Sequence, residues 1–326
     1  MIKRLLFSRV SSAIRLAAVV MGFCTVAAVN AAPSGAANAA AERTAREGAA
    51  CKKLGAFYWE IGDVHGPLVS GSIGSDYSTD TPMKIASASK WVWGAYVLEK
   101  IGPGQELSAA QRAQLEMRSG QTSFPLLACP RAKTVAACLN ARSNAKINPD
   151  DVGYFYYGGG HDQQLAVDLG LGNLDAEHLT QEVLSYLGSD IGLSYFRPLP
   201  AGGMQGTPAA YAAFLRKILS GKLRMHDALG SDPVCTLPAR CAEAHNSPVK
   251  EAWHYSLNHW LEDDPATGDG SYSSPGLEGF YPWISADKTR YGILARERLG
   301  RTVALDSVAC GRNIRKAFVS GVPVLP

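Results

Sequence analysis

A serine followed three residues later by a lysine places a hydroxyl and an amine on one face of a helix, because residues three and four apart are neighbours on a helical surface. A neutral amine so placed can take the hydroxyl's proton and make the oxygen an acyl-accepting nucleophile. At a helix N-terminus the serine's own backbone N–H also faces the oxyanion that develops during attack. The 326-residue chain carries this spacing four times: Ser87/Lys90, Ser143/Lys146, Ser247/Lys250 and Ser285/Lys288. Spacing alone does not choose among them.

Their surroundings do. Ser143 stands in a polar stretch with Asn144 beside it and Asn148-Pro149 just beyond, which reads as a loop. Ser247 is followed by Pro248, and Ser285 falls in a turn between strand-like runs. Only Ser87 follows a strand pair and opens an apolar helix, within Thr81-Pro82-Met83-Lys84-Ile85-Ala86-Ser87-Ala88-Ser89-Lys90. The purely structural roles for this pair are an N-cap serine and a lysine on a solvated helix face. The context favours nucleophile and base. His161, His254 and His259 are alternative bases, but isolated histidines usually serve packing and hydrogen bonding. Trp91 and Trp93 read as helix-packing residues. There is no CxxC, no HExxH and no Gly-x-Ser-x-Gly elbow, so neither a metal centre nor an α/β-hydrolase is expected, and no cofactor is called for.

The elements that must position Ser87 follow from periodicity and punctuation. Residues 32–42 are Ala-rich and read as a flexible lead-in, and Ala41 to Leu54 as a helix carrying Cys51. Strand-like runs Ala56–Ile61 and Pro67–Ile73 flank a turn at 62–66, and a helical stretch then runs from Thr81-Pro82 through Lys100. The middle is helical: Ala109–Met117 capped by Ser108, His161–Leu169, Glu177–Leu187, and a helix opened by Thr207-Pro208 and running to Ser220. Strand signals return at Trp253–Trp260, Gly279–Ile284 and Arg290–Arg296, followed by a helix over Asp306–Val319. This order predicts an α/β (α+β) fold: one antiparallel sheet built from both ends of the chain, terminal helices side by side on one face, and a mostly helical inserted domain. The expected divisions are residues 32–105 plus 251–326 for the sheet domain and 106–250 for the insertion.

Composition fits an exported globular protein. With 46% hydrophobic and 19% charged residues the chain can bury a sizeable core, which excludes a disordered one. Lys3, Arg4, Arg9 and Arg15 precede an apolar run from Leu16 to Val29, and Val29-Asn30-Ala31 offers a cleavage site, so residues 1–31 read as a signal peptide. Cys24 is a poor lipid-attachment site because the bulky Phe23 precedes it. Removing residues 1–31 takes away four cations and no anion, and lowers the formal charge from +3 to −1. No field for nucleic acid or anionic lipid remains, and no stable membrane anchor is expected. The destination is the periplasm or the medium. Six cysteines remain, an even number that suggests disulfides. Cys129 and Cys138 bracket a short loop, as do Cys235 and Cys241, which leaves Cys51 to pair with Cys310; neighbouring terminal helices in the predicted fold would allow that bond. Nothing in the sequence specifies an oligomeric state.

Around Ser87 the chain resembles the serine β-lactamase and penicillin-binding protein superfamily, especially its class C-like and esterase-like branch. The resemblance spans roughly Gly55 to Val319 and is strongest over Met83–Lys90. It implies a second motif, Tyr-x-Asn, best matched by Phe155-Tyr156-Tyr157-Gly158-Gly159-Gly160, with Tyr157 as proton relay and Gly159 where the family has a substrate-binding Asn. It also implies a third motif on a sheet strand, matched by Ser274-Pro275-Gly276 or Ser273-Ser274-Pro275 with the trailing Leu277-Glu278-Gly279-Phe280. Gly276 is then the candidate for the second oxyanion N–H, and Gly279 stands with it in the substrate-binding stretch. The family's Lys or His, which holds a substrate carboxylate, is missing. Pro282 marks this strand as an edge or a bulge.

The implied activity is a serine hydrolase forming an acyl-enzyme on Ser87, acting on an ester, β-lactam or amide, with a small-molecule or peptide-like substrate. The missing carboxylate anchor tilts the reading towards esters or amides that do not depend on a carboxylate. The alternatives are a non-catalytic penicillin-binding-like sensor, a D-Ala-type cell-wall peptidase, and an envelope scaffold held by disulfides.

Overall fold

The computed structural model describes residues 35–125, 129 and 131–326. The signal peptide expected at 1–31, with Cys24, lies outside these residues. Thirteen strands occur among them: β1 (Phe57–Asp63), β2 (Gly66–Ile73), β3 (Met83–Lys84), β4 (Phe155–Tyr156), β5 (Ser194–Tyr195), β6 (Met204–Gly206), β7 (Val234–Cys235), β8 (Ala244–Asn246), β9 (His254–Ser256), β10 (His259–Glu262), β11 (Ser271–Ser273), β12 (Tyr281–Ile284) and β13 (Tyr291–Ala295). Eight form the main sheet, in the order β2–β1–β13–β12–β11–β10–β9–β7, with every pairing antiparallel. Strands from the two ends of the chain meet one strand in from the β2 edge, where Trp59 of β1 pairs with Leu294 of β13. This is the expected α/β architecture.

Period-two alternation divides the sheet between two cores. Phe57, Trp59 and Ile61 of β1, with Leu294 of β13, enter one apolar cluster together with Ala41, Val308 and Phe318 of the terminal helices. Tyr58, Tyr291, Ile293 and Ala295 enter the other, against residues of helices Ser89–Ile101, Ala176–Leu187 and Pro208–Leu219. The terminal helices Gly35–Glu47 and Val303–Ser320 pack against each other on the first face. The three expected cysteine pairs are at bonding distance, with Cα–Cα separations of 4.7 Å for Cys51–Cys310, 5.1 Å for Cys129–Cys138 and 6.4 Å for Cys235–Cys241. No helix among the described residues is long and apolar enough to cross a membrane.

Four local expectations are corrected. The Ala-rich lead-in is helical from Gly35, because alanine is the best helix former and Ala37, Ala40, Ala41 and Ala45 bury their methyls. The single strand expected over Trp253–Trp260 is a hairpin, turned at Leu257 and Asn258, which both have positive φ (37° and 66°) as a tight hairpin turn requires. Strand β7 comes from inside the segment expected to be helical and extends the sheet edge beside β9. Pro282 lies neither at an edge nor at a bulge: β12 runs between β11 and β13. Its pairing with β11 ends at Ser273–Trp283, and the Pro282 carbonyl accepts from Ser274 N–H (3.3 Å), so the missing N–H falls where that ladder has already stopped.

Candidate active site

The chain enters the site through a short strand and a strained turn. Ile85 N–H donates to Met204 O (3.1 Å), continuing the β3–β6 pairing, and Ala86 then takes φ = +44°, a left-handed conformation costly for a residue with a β-carbon. Ser89 holds this turn: its hydroxyl donates to Ala86 O (2.6 Å) and accepts from Met204 N–H (3.2 Å). Residues Ala86–Ala88 form one 3₁₀ turn, and the α-helix begins at Ser89, later than expected from the sequence. From the opposite side Ser274 Oγ donates to Ser87 O (3.1 Å), and Tyr211 Oη donates to Ala88 O (2.8 Å). Ser87 is thus fixed on a turn whose backbone is held from three directions.

Lys90 is 3% exposed, and its Nζ donates to Ser87 Oγ (3.2 Å) and to Ala201 O (3.1 Å). In the other three Ser-x-x-Lys repeats no hydrogen bond joins the two side chains. Ser247 Oγ accepts from Val249 N–H (3.2 Å), Ser285 Oγ donates to Asp287 (2.5 Å), and Lys288 Nζ donates to His226 O (2.7 Å). Ser143 lines the same cleft as Ser87, but its carbonyl only closes a turn with Lys146 N–H (3.0 Å).

Ser87, Lys90, Tyr157 and Gly159 line one cleft of about 850 Å³. The Tyr157 backbone N–H donates to Asn246 O (3.0 Å), and its ring packs on Trp260 at 5.2 Å between centroids. Lys90 Nζ stands 4.8 Å from the centre of the Tyr157 ring, a cation–π distance. No hydrogen bond joins the phenol to Ser87 or Lys90 among the described residues. Gly159 caps helix Gly160–Asp168 and is tightly enclosed, since a β-carbon there would stand 3.3 Å from the Phe124 ring and 3.3 Å from Ala201 Cβ, so the family's Asn would need these neighbours to give way.

The third motif is built differently from its expectation. Gly276 N–H donates to Phe280 O (2.7 Å) and Gly279 N–H to Gly276 O (2.9 Å), so both amides are spent inside their own turn. Gly276 therefore does not offer the second oxyanion N–H. Gly279 (φ = +106°) packs against Arg296 and does not face the cleft. Leu277, between them, does line the cleft, and neither its amide nor that of Ser87 has an acceptor among the described residues. Sequence reasoning passed over Leu277, Ala201 and Phe124; for Leu277 the available signal was its place next to Gly276.

The histidines are structural. Burial pushes His161 down to about 4, with its ring between Ser119 Oγ (2.7 Å) and Tyr156 O (2.9 Å). Burial also pushes His259 down to about 4; it accepts from Gly230 N–H (2.9 Å) and stacks on Trp91. His254 is bound to Asp263 (2.8 Å) away from the cleft. Asp162, one residue after His161, is fully buried, and burial raises its carboxyl to about 7 against the opposing pull of Lys90. Its Oδ1 accepts from Asn258 Nδ2 (2.7 Å), while Oδ2 has no hydrogen-bond partner among the described residues.

No protein-family model and no curated protein matches the sequence. Solved structures do match by shape. A hydrolase with promiscuous acyltransferase activity aligns with a TM-score of 0.60 at 10% identity, over 86% of this chain and 98% of its own. Simvastatin synthase from Aspergillus terreus aligns with 0.56 at 13% identity, over 86% and 97%. A β-lactamase from Mycobacterium bovis aligns with 0.55 at 13% identity, over 81% and 96%.

Proposed function

We propose that this chain, which has the fold of the serine β-lactamase and penicillin-binding protein superfamily, is a serine hydrolase that forms an acyl-enzyme on Ser87. The observation that carries the reading is the hydrogen bond from Lys90 Nζ to Ser87 Oγ inside the cleft. The Lys90 amine takes the Ser87 proton as the oxygen attacks the substrate carbonyl, and the carbonyl oxygen becomes an oxyanion. The free amides of Ser87 and Leu277 stabilise that charge. The tetrahedral adduct collapses to an acyl ester on Ser87, and the leaving group departs with the proton. Water then attacks the ester, a proton returns to Ser87 Oγ, and the acid product leaves. Tyr157, whose ring lies against the Lys90 amine, assists the proton's passage.

The substrate is an ester, β-lactam or amide. Gly159 and the Ser274-Pro275-Gly276 turn supply no cation to hold a carboxylate, which favours esters and simple amides. Export to the periplasm or the medium accompanies this reading, in keeping with three paired cysteines. A second reading, a sensor that is acylated but does not turn over, is favoured by the absence of a hydrogen bond from the Tyr157 phenol to the catalytic pair.

Intact-mass spectrometry after exposure to a penicillin, a small activated ester and a fluorophosphonate separates these readings. The hydrolase gains a transient acyl mass and releases product, and Ser87→Ala gains none. A stable adduct supports the sensor. Full labelling and turnover by Ser87→Ala would falsify both.

A further inference from the structure

One wall of the cleft has a chemistry that the catalytic pair does not use. Phe124 lies on Gly159 and Gly160: a β-carbon on Gly159 would stand 3.3 Å from its ring, and one on Gly160 would stand 3.1 Å from its Cβ. The same Gly159 position abuts Ala201, whose carbonyl accepts from Lys90 (3.1 Å). Two residues without side chains therefore leave room for an aromatic ring close to the catalytic amine. Phe196, Leu199, Leu277 and Leu299 line the cleft with it. Leu277 is 39% exposed and Leu299 is 89% exposed. Large apolar side chains left in water at the mouth of a cleft mark a surface that gains free energy when a hydrocarbon covers it.

Thr122, Ser123, Ser143 and Asn246 also line the cleft, and some of its polar groups are committed elsewhere. Lys84 pairs with Glu297 (3.4 Å), Arg197 stacks on the Phe196 ring at 5.4 Å, and the Ser274 hydroxyl is given to Ser87 O. Burial and the neighbouring Glu297 raise the Glu278 carboxyl, against the pull of Lys84 and Arg197. The carbon surface open to an acyl group in this cleft is that of Phe124, Phe196, Leu199, Leu277 and Leu299.

We infer that Phe124 is a specificity-determining contact, and that the cleft selects esters whose acyl part is a hydrocarbon chain over esters of small or polar acids. This rests on Ser87 being the acyl-accepting nucleophile. The chain bound to the attacked carbonyl lies against Phe124 and extends towards Leu277 and Leu299 at the rim.

The test compares p-nitrophenyl acetate with p-nitrophenyl hexanoate. Four added methylenes, partly buried, should raise kcat/KM roughly 10- to 100-fold in the natural protein. In Phe124→Ala the hexanoate-to-acetate ratio should fall by about tenfold, and in Phe124→Leu most of it should survive. Because the ratio divides out damage common to both esters, it reads the contact and not the integrity of the site. A ratio unchanged or raised in Phe124→Ala, or acetate preferred by the natural protein, overturns the inference. Should neither ester be turned over and Ser87 take no label, the hydrolase reading fails by itself. The contact is then read by calorimetric titration of Ser87→Ala with hexanamide and acetamide. Tighter hexanamide binding that Phe124→Ala abolishes supports it, and equal binding of the two amides overturns it.

Discussion

Gly276 lies so close to Ile85 that a β-carbon on it would stand 2.2 Å from the Ile85 carbonyl oxygen. The glycine is needed where two distant segments cross, because the turn between β11 and β12 lies directly against the residue that precedes the strained Ala86. A methyl at this position must push Ile85 and Ala86 aside. Gly276→Ala should lose about 1 to 3 kcal/mol of stability and, through displacement of Ser87, at least about tenfold in kcat. Gly158→Ala is the control, since its nearest neighbour is Tyr156 O at 4.0 Å. Urea denaturation and ester hydrolysis of the two variants, side by side, check this.

Lys90 is the one lysine of the four repeats bonded to its serine. Lys90→Met should lower the rate of Ser87 acylation by about 100- to 10,000-fold, whereas Lys146→Met and Lys250→Met should leave it within about twofold, as surface substitutions do. Rates come from fluorophosphonate labelling followed by mass. Equal loss in Lys90→Met and Lys146→Met would remove the basis for preferring Ser87.

Two buried groups give stability opposite pH dependences. His259 is pushed down to about 4 in the folded chain, so its contribution is present above pH 6.5 and is lost as pH falls towards 4. The stability of the natural protein relative to His259→Gln should therefore shrink over that interval. Asp162 is raised to about 7, so folding favours its protonated form, and that contribution is lost as pH rises from about 4 to 7. Relative to Asp162→Asn, the natural protein should weaken over that interval and level off above it. Urea midpoints at half-unit pH steps measure both trends, and parallel curves for variant and natural protein would contradict the assignments.

Cys51, on the short helix Ala49–Lys52, and Cys310, on the C-terminal helix, are joined across a separation of 259 residues. Replacing both by serine should cost about 2 to 4 kcal/mol, read as a lowered Tm under non-reducing conditions. The replacement of Cys235 and Cys241, which closes a separation of only 6, should cost less.

Much of the frame was legible because local signals agree with the tertiary result. Thr207-Pro208 announced a helix start, and Thr207 Oγ1 does accept from Ala210 N–H (3.1 Å) with Pro208 as the first helical residue. The runs around Trp59 and Leu294 predicted strands, and they pair with each other inside the main sheet. What escaped depended on distant partners. The 35–42 stretch is helical because another helix nearly 270 residues away covers its alanines, a fact that composition does not carry. Pro282 read as an edge marker because the length of β11, which decides whether its missing N–H matters, is set by pairing. At the site, Ser87 and Lys90 are three apart and visible together. Leu277's free amide and Phe124's seat on Gly159 arise only when three segments converge.

The Cys51–Cys310 bond also closes most of the chain into a covalent loop. A protease that cuts one exposed peptide bond anywhere between those cysteines leaves a nicked molecule of undiminished mass, whose two pieces part only when a reductant is added. In an environment that contains peptidases, one severed loop need not release either half of the sheet, and β1 keeps β13 as its neighbour. The bond that staples the helices thereby makes the first cut survivable.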